Sequence, residues 1–224
     1  MISAVLFDLD ETLLDRRVSL AGFLADQHKR FAGGLGGGSP EAWRARFLAL
    51  DGRGRVPKSV VYPALLAEFG GDPDLADALL ADYRERCCRF ARPVPGATEV
   101  LRALRDAGRA LAIVSNGETA FQQKHVDALG VGGLVDAVLI SEREGLRKPD
   151  PALFHRAADR LATAPGNCLF VGDDPAADIL GADRAGMRTA WLCRGARWPE
   201  SLAPMPGVAI ETLPEVLEVL DARP

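Results

Sequence analysis

The hydrophobic pattern of this chain falls into two regimes. From Pro93 onward, short apolar runs alternate with amphipathic segments: "ALAIVS" (110–115), "VDAVLIS" (135–141), "NCLFVG" (167–172) and "RTAWLC" (188–193). The run that opens "AVLFDLDETLL" (4–14) belongs to the same series. Apolar stretches of this length without alternation read as strands buried on both faces, the habit of parallel sheets. Segments near 97–107, 118–129, 151–162 and 176–186 carry apolar positions at helical spacing, and Gly108, Gly130 and Gly186 stand where helix C-caps fall. Strand, helix, strand in repetition predicts an α/β domain whose parallel sheet lies between layers of helices.

From about Arg16 to Arg92 that rhythm stops. No strand run is evident, and the pattern predicts several helices separated by glycine and proline, an inserted helical unit. Its clearest start is Ser39-Pro40-Glu41, an N-cap serine with proline at the first helical position. "GGLGGGSP" (33–40) follows no strand and lacks GK[ST], so it reads as a turn and not as a phosphate cradle.

Composition changes this picture little. Of 224 residues, 48% are hydrophobic and 26% charged, which fits a globular chain able to bury its own core. A formal charge of −4 argues against a broad nucleic-acid surface, which needs clustered Lys and Arg. Cys87, Cys88, Cys168 and Cys193 form no disulfide pattern, and the first residues lack a basic n-region and an apolar run long enough for a leader or a span. A cytoplasmic protein with reduced thiols and no membrane contact is expected. His28, His125 and His155 show no zinc spacing.

The polar residues at the strand ends change the picture more. In open α/β sheets, ligands bind beyond the carboxyl ends of the strands. There the first strand presents Asp8 and Asp10, the second Ser115 and Asn116, the third Lys148, and the fourth Asp173, Asp174 and Asp178. Read singly, an acid after a strand is often a turn or helix cap, and a lysine before proline is often surface. Crowded carboxylates repel one another unless a cation neutralises them, and oxygen donors without His or Cys favour Mg²⁺. Lysine and serine beside such an ion suit an anionic phosphoryl group.

"DLDET", "VSN", "KPD" and "GDDPAAD", in this order and spacing, resemble the four motifs of the haloacid dehalogenase-like hydrolase superfamily. The resemblance implies a Rossmann-like, doubly wound parallel core over residues 1–15 and 93–224, with a helical cap domain over 16–92 that closes over the site and chooses the substrate. It further implies Asp8 as the nucleophile that forms an aspartyl-phosphate, and Asp10 as general acid and base. Thr12 would hydrogen-bond within the first loop and fix the two aspartates. Ser115 with the backbone of Asn116 would bind phosphoryl oxygens, and Lys148 would stabilise nucleophile and phosphoryl charge. Mg²⁺ would be held by Asp8, the Asp10 carbonyl and Asp173, with Asp178 supporting that shell. Asp174 either caps a helix ahead of Pro175 or joins the metal shell. Glu11 reads as solvent-facing and noncatalytic, and Arg16, His28, Arg53, Arg55 and Lys58 of the insert as solvated surface.

The function so implied is Mg²⁺-dependent hydrolysis of a small phosphomonoester, of the nucleoside monophosphate or sugar phosphate class, by a monomer or homodimer. Asp10 argues against the dehalogenase and phosphonatase branches, which lack the second aspartate. A β-phosphoglucomutase-like phosphomutase retains both aspartates and stays open. So does a noncatalytic binding or regulatory module.

Overall fold

The computed structural model describes residues 1–221, which divide into two compact units: Met1–Arg16 with the described residues from Arg92 onward, and Arg17–Ala91. The first unit is built on six parallel strands: β1 (Ala4–Phe7), β2 (Ala110–Ser115), β3 (Ala137–Ile140), β4 (Cys168–Gly172), β5 (Arg188–Leu192) and β6 (Val208–Ile210). Their order is β3-β2-β1-β4-β5-β6. The chain therefore winds outward from β1 in one direction and from β4 in the other, which makes the β1/β4 boundary the topological switch point where α/β sheets bind ligands.

Register explains the unbroken apolar runs. Ala4 pairs with Ala110 and Cys168, and Leu6 with Ala112 and Phe170. This set faces one layer together with Val114, Leu139, Phe154 and Ala182, while Val5, Phe7, Leu111, Ile113, Leu169 and Val171 point the other way and are equally buried. Covering both faces removes any reason for polar alternation. The helices of this unit are α5 (Ala97–Asp106), α6 (Thr119–Leu129), α7 (Ser141–Glu144), α8 (Pro151–Arg160), α9 (Gly181–Arg184) and α10 (Glu215–Asp221).

Three features depart from the sequence reading. The third strand starts at Ala137 and ends at Ile140, because Ser141 opens the short α7. A sixth strand, three residues long, was not signalled. The segment at 176–186 is not one uniform helix: Pro175–Leu180 is a π-helix that tightens into α9.

The second unit holds most of α1 (Arg16–Phe31), then α2 (Pro40–Asp51), α3 (Lys58–Phe69) and α4 (Ala76–Arg86), with no strand among its described residues. Ser39 caps α2 by accepting from the Ala42 N–H at 3.2 Å, with Pro40 in the first turn. An aromatic core of Phe23, Trp43, Phe47 and Tyr62 is buried within it. Beside this core, Tyr62 donates to Gln27 Oε1, and the Gln27 amide donates to the Leu79 carbonyl and to Asp82. Lys58 is not surface: it is nearly buried, 2.5 Å from the buried Asp51. Among the described residues, no helix is long and apolar enough to cross a membrane, and all four cysteines are free thiols.

Candidate active site

The first loop shows why a buried strand can end in acids. Leu9, Leu13 and Leu14 are essentially fully buried, and burying each contributes roughly 1.5–3 kcal/mol. The backbone closes tightly around them: Leu13 and Leu14 donate to the Leu9 carbonyl at 3.0 and 2.8 Å, and Glu11 donates to the Leu14 carbonyl at 2.8 Å. The leucines anchor the loop, and Asp8 and Asp10 are held at its open end. Glu11 takes φ +60, the left-handed region. Glycine, asparagine and aspartate enter that region most readily.

Asp8 sits beside β4, its N–H donating to the Val171 carbonyl at 2.9 Å. Lys148 Nζ bridges two carboxylates, 2.5 Å from Asp8 Oδ1 and 2.7 Å from Asp178 Oδ1, and all three side chains are buried. Burial raises the Asp8 carboxyl well above the usual carboxylate range; Lys148 opposes this, and Asp178, Asp173 and Asp10 add to it. For Lys148, burial favours the neutral amine, but Asp178 and Asp8 outweigh burial and hold the ammonium charged. Asp8, Asp173 and Asp178 each offer a carboxylate oxygen, all within 4.8 Å of one another. One lysine thus pairs with two of these three carboxylates, and the remaining negative charge together with the all-oxygen donor set fits a hard divalent cation.

Each partner is delivered by a local device. Asn116, just past β2, clamps the Lys148 backbone from both sides: its amide donates to the Lys148 carbonyl at 3.0 Å and its Oδ1 accepts from the Lys148 N–H at 2.9 Å. Asp150 caps α8, accepting from the Ala152 N–H at 2.9 Å. Gly172 ends β4 where any Cβ would lie 2.4 Å from Asp178 Oδ2, so glycine makes room for that carboxylate. Asp174 caps the π-helix, its Oδ1 accepting from Ala176 and Ala177 at 3.0 Å. Its own N–H donates to Asp178 Oδ2 at 3.0 Å. The wide π turn, with Ile179 N–H bonded five residues back to the Asp174 carbonyl at 3.3 Å, sets Asp178 facing the strand end. Such turns concentrate at functional sites. Asp173 is half-buried, and its carbonyl accepts from Trp191 Nε1 at 3.0 Å.

Asp8, Lys148, Asp173 and Asp178 therefore converge. Asp10 and Ser115 are joined through Gln122, a residue of α6 that the sequence reading passed over. Gln122 Nε2 lies 2.6 Å from Asp10 Oδ2 and 2.8 Å from Ser115 Oγ. Arg16 Nε stands 3.9 Å from the other Asp10 oxygen.

Two expectations are corrected. Thr12 is fully buried, but its hydroxyl has no hydrogen-bond partner; the bond within the loop is made by its backbone N–H to the Leu9 carbonyl, at 3.3 Å. Glu11 is not simply solvent-facing, because its carboxylate pairs with Arg194 at 3.1 Å.

Fold and site together define a doubly wound α/β protein with an aspartate–lysine centre at its switch point. The chain belongs to the haloacid dehalogenase-like hydrolases, whose family profile matches residues 2–186. It is 32% identical to a phosphoserine phosphatase of Thermus thermophilus over 95% of this chain and 96% of that one. It is 33% identical to a glyceraldehyde 3-phosphate phosphatase of Methanopyrus kandleri, over 87% and 85% of the two. Among solved structures, a HAD-hydrolase of Bacillus subtilis bound to magnesium superposes with a TM-score of 0.82 at 24% identity, covering 98% of this chain and 99% of that one, a likeness of fold. An L-2-haloacid dehalogenase of Xanthobacter autotrophicus shares the fold as well, with a TM-score of 0.73 at 23% identity over the full length of both chains.

Proposed function

We propose that this protein is a Mg²⁺-dependent phosphatase that hydrolyses a small phosphomonoester through an aspartyl-phosphate on Asp8. The observation that carries the reading is the buried bridge from Lys148 to Asp8 and Asp178, with Asp173 completing an oxygen-only cluster. Relatives named for phosphoserine and glyceraldehyde 3-phosphate support a small phosphorylated metabolite as substrate. Sugar phosphates and nucleoside monophosphates fall in the same size class.

Asp8, the Asp10 carbonyl and Asp173, with Asp178 supporting them, would hold Mg²⁺, which when bound offsets the charge of the carboxylates and of the phosphoryl oxygens. Asp8 attacks phosphorus, the P–O bond to the leaving group breaks, and Asp10 gives that oxygen its proton. Asp10 then takes a proton from water, which attacks phosphorus and frees Asp8 and inorganic phosphate. Lys148 and Ser115 bind the transferring group where charge gathers. Asp10 separates this chemistry from dehalogenation, which breaks a carbon–halogen bond and needs no acid on a leaving alkoxide. The helical unit at 17–91 takes the role of a cap that selects the rest of the substrate.

The test is release of inorganic phosphate from p-nitrophenyl phosphate and from phosphoserine. Release should require Mg²⁺, stop with EDTA and return when Mg²⁺ is restored; full activity in EDTA would remove the metal from the mechanism. Asp8→Asn keeps the shape of the side chain and leaves Lys148 its bond to Asp178, so the variant should fold. Its kcat should drop by at least about 10³-fold, as when a nucleophile is removed. A product that is an isomeric phosphate ester, with no free phosphate, would favour the phosphomutase.

A further inference from the structure

Gln122 is a buried polar residue of the site that the mechanism above leaves unused. It lies on the inward face of α6 with His125 and Val126, only 3% exposed. Its Nε2 donates to Asp10 Oδ2 at 2.6 Å and to Ser115 Oγ at 2.8 Å, with the Asn116 carbonyl at 3.2 Å. The two short contacts use the two amide hydrogens. Its Oε1 is buried and unpartnered. The reverse orientation of the amide would turn that carbonyl oxygen against the Asp10 carboxylate, so the contact with Asp10 decides which way the group points, at the cost of an unsatisfied oxygen. The neighbouring backbone is shaped around it: at Gly117, which has φ +153, a Cβ would lie 2.7 Å from Gln122 Cγ.

We infer that Gln122 is a positioning residue that fixes Asp10 and Ser115 as one unit. This inference rests on the role of Asp10 as general acid and base. With Oδ2 held by an N–H donor, Oδ1 is the Asp10 oxygen that Gln122 leaves open; Arg16 Nε, 3.9 Å from it, is beyond hydrogen-bond reach. A carboxyl free to rotate would present either oxygen; this one is held with a single oxygen open, in a single direction. The same amide occupies an acceptor site of Ser115 Oγ. The hydroxyl's other contact within the protein, with the Asn116 carbonyl, is long at 3.5 Å, so its hydrogen is available to a phosphoryl oxygen. Gln122 thereby couples the group that protonates the leaving oxygen to the group that grips the phosphoryl.

Leaving-group chemistry tests this. p-Nitrophenolate departs readily without a proton, whereas an alkoxide does not, so loss of a well-placed acid penalises an alkyl phosphate far more than an aryl one. The values of kcat/KM, which report the first phosphoryl transfer, should be measured for p-nitrophenyl phosphate and glycerol 2-phosphate with Gln122→Met and Gln122→Asn. Methionine preserves length and burial without donors; asparagine keeps the amide but falls short of Asp10. In whichever variant folds, kcat/KM for the alkyl ester should fall about tenfold more than for the aryl ester. In an Asp10→Asn background, the Gln122 substitution should add no further alkyl-specific loss. Equal losses on both esters, or none, would overturn the role assigned to Gln122. If Asp10→Asn alone fails to discriminate the two esters, the acid role of Asp10 falls instead, so the two failures are distinguishable.

Discussion

Gly172 and Asp178 illustrate how single residues divide the labour at this site. Glycine at the end of β4 is not needed for its backbone freedom; it is needed because the strand and the returning carboxylate share one volume. Gly172→Ala keeps strand geometry but places a methyl 2.4 Å from Asp178 Oδ2. The carboxylate must then retreat from Lys148 and from the Asp174 N–H. The variant should fold, lose most of its turnover and require about 10–100-fold more Mg²⁺ for half-maximal activity, the range seen when supporting partners of a metal site are removed. A normal Mg²⁺ dependence of phosphate release would show that Asp178 lies outside the cation's shell. Asp10 and Ser115 could be read from the chain because each sits at or just past a strand end that the apolar runs define, and Lys148 because it follows the third such run, although α7 intervenes between β3 and it. Gln122 could not, because on a helix a glutamine reads as exposed; the available signal was its place three residues before His125 on the face that otherwise carries Val126. The unpartnered Thr12 hydroxyl was equally hidden, since residue type tells nothing of whether a bond is made.

At the level of elements, apolar run length placed five strands, and the carboxyl ends of four of them carry the candidate site. Boundaries and irregular turns were less legible. β6 is three residues long and follows a proline-rich stretch, too short to stand out from its surroundings. The π-helix depends on one widened turn after Asp174, a matter of a single hydrogen bond that hydrophobic spacing does not encode. Its passage into α9 at Gly181 is packed tightly. A Cβ there would lie 2.6 Å from Phe154 Cε2 and 3.0 Å from Pro149 Cα. The Phe154 ring has little room to move, because it is fully buried and meets Phe170 edge-on with centroids 4.9 Å apart. Phe170 in turn lies under Lys148, its centroid 5.6 Å from Nζ. Gly181→Ala gains up to about 1 kcal/mol of helix propensity, but overpacking costs about 1–3 kcal/mol. The net result should be a lower urea midpoint with unchanged m-value, and a reduced kcat as Pro149 carries Lys148 out of line. A variant more stable than the parent would mean that the ring yields without cost.

Across the whole molecule, the candidate centre draws on β1 through β4, so the chemistry assigned to it belongs to one of the two units. The other, Arg17–Ala91, has a separate aromatic core and a separate buried network through Gln27, Tyr62 and Asp82. Binding that favours the folded state stabilises it by RT ln(1 + [L]/Kd), about 2.7 kcal/mol at a hundredfold excess over Kd. A cation seated among Asp8, Asp173 and Asp178 makes its contacts only when β1 and β4 lie side by side, because these ligands are far apart in sequence and are assembled by the sheet. Thermal unfolding followed by calorimetry should therefore move upward by several degrees on adding saturating Mg²⁺, given roughly 2–4 °C per kcal/mol for domains of 150–250 residues. Where two transitions are resolved, only the one belonging to the sheet unit should move. Asp173→Asn should abolish the shift without changing the metal-free midpoint by more than about 1 kcal/mol, since that side chain is only half-buried. An equal Mg²⁺ shift in Asp173→Asn would place the cation elsewhere. A shift confined to the helical unit would detach the metal from the strand ends and, with it, the charge compensation that three clustered carboxylates require.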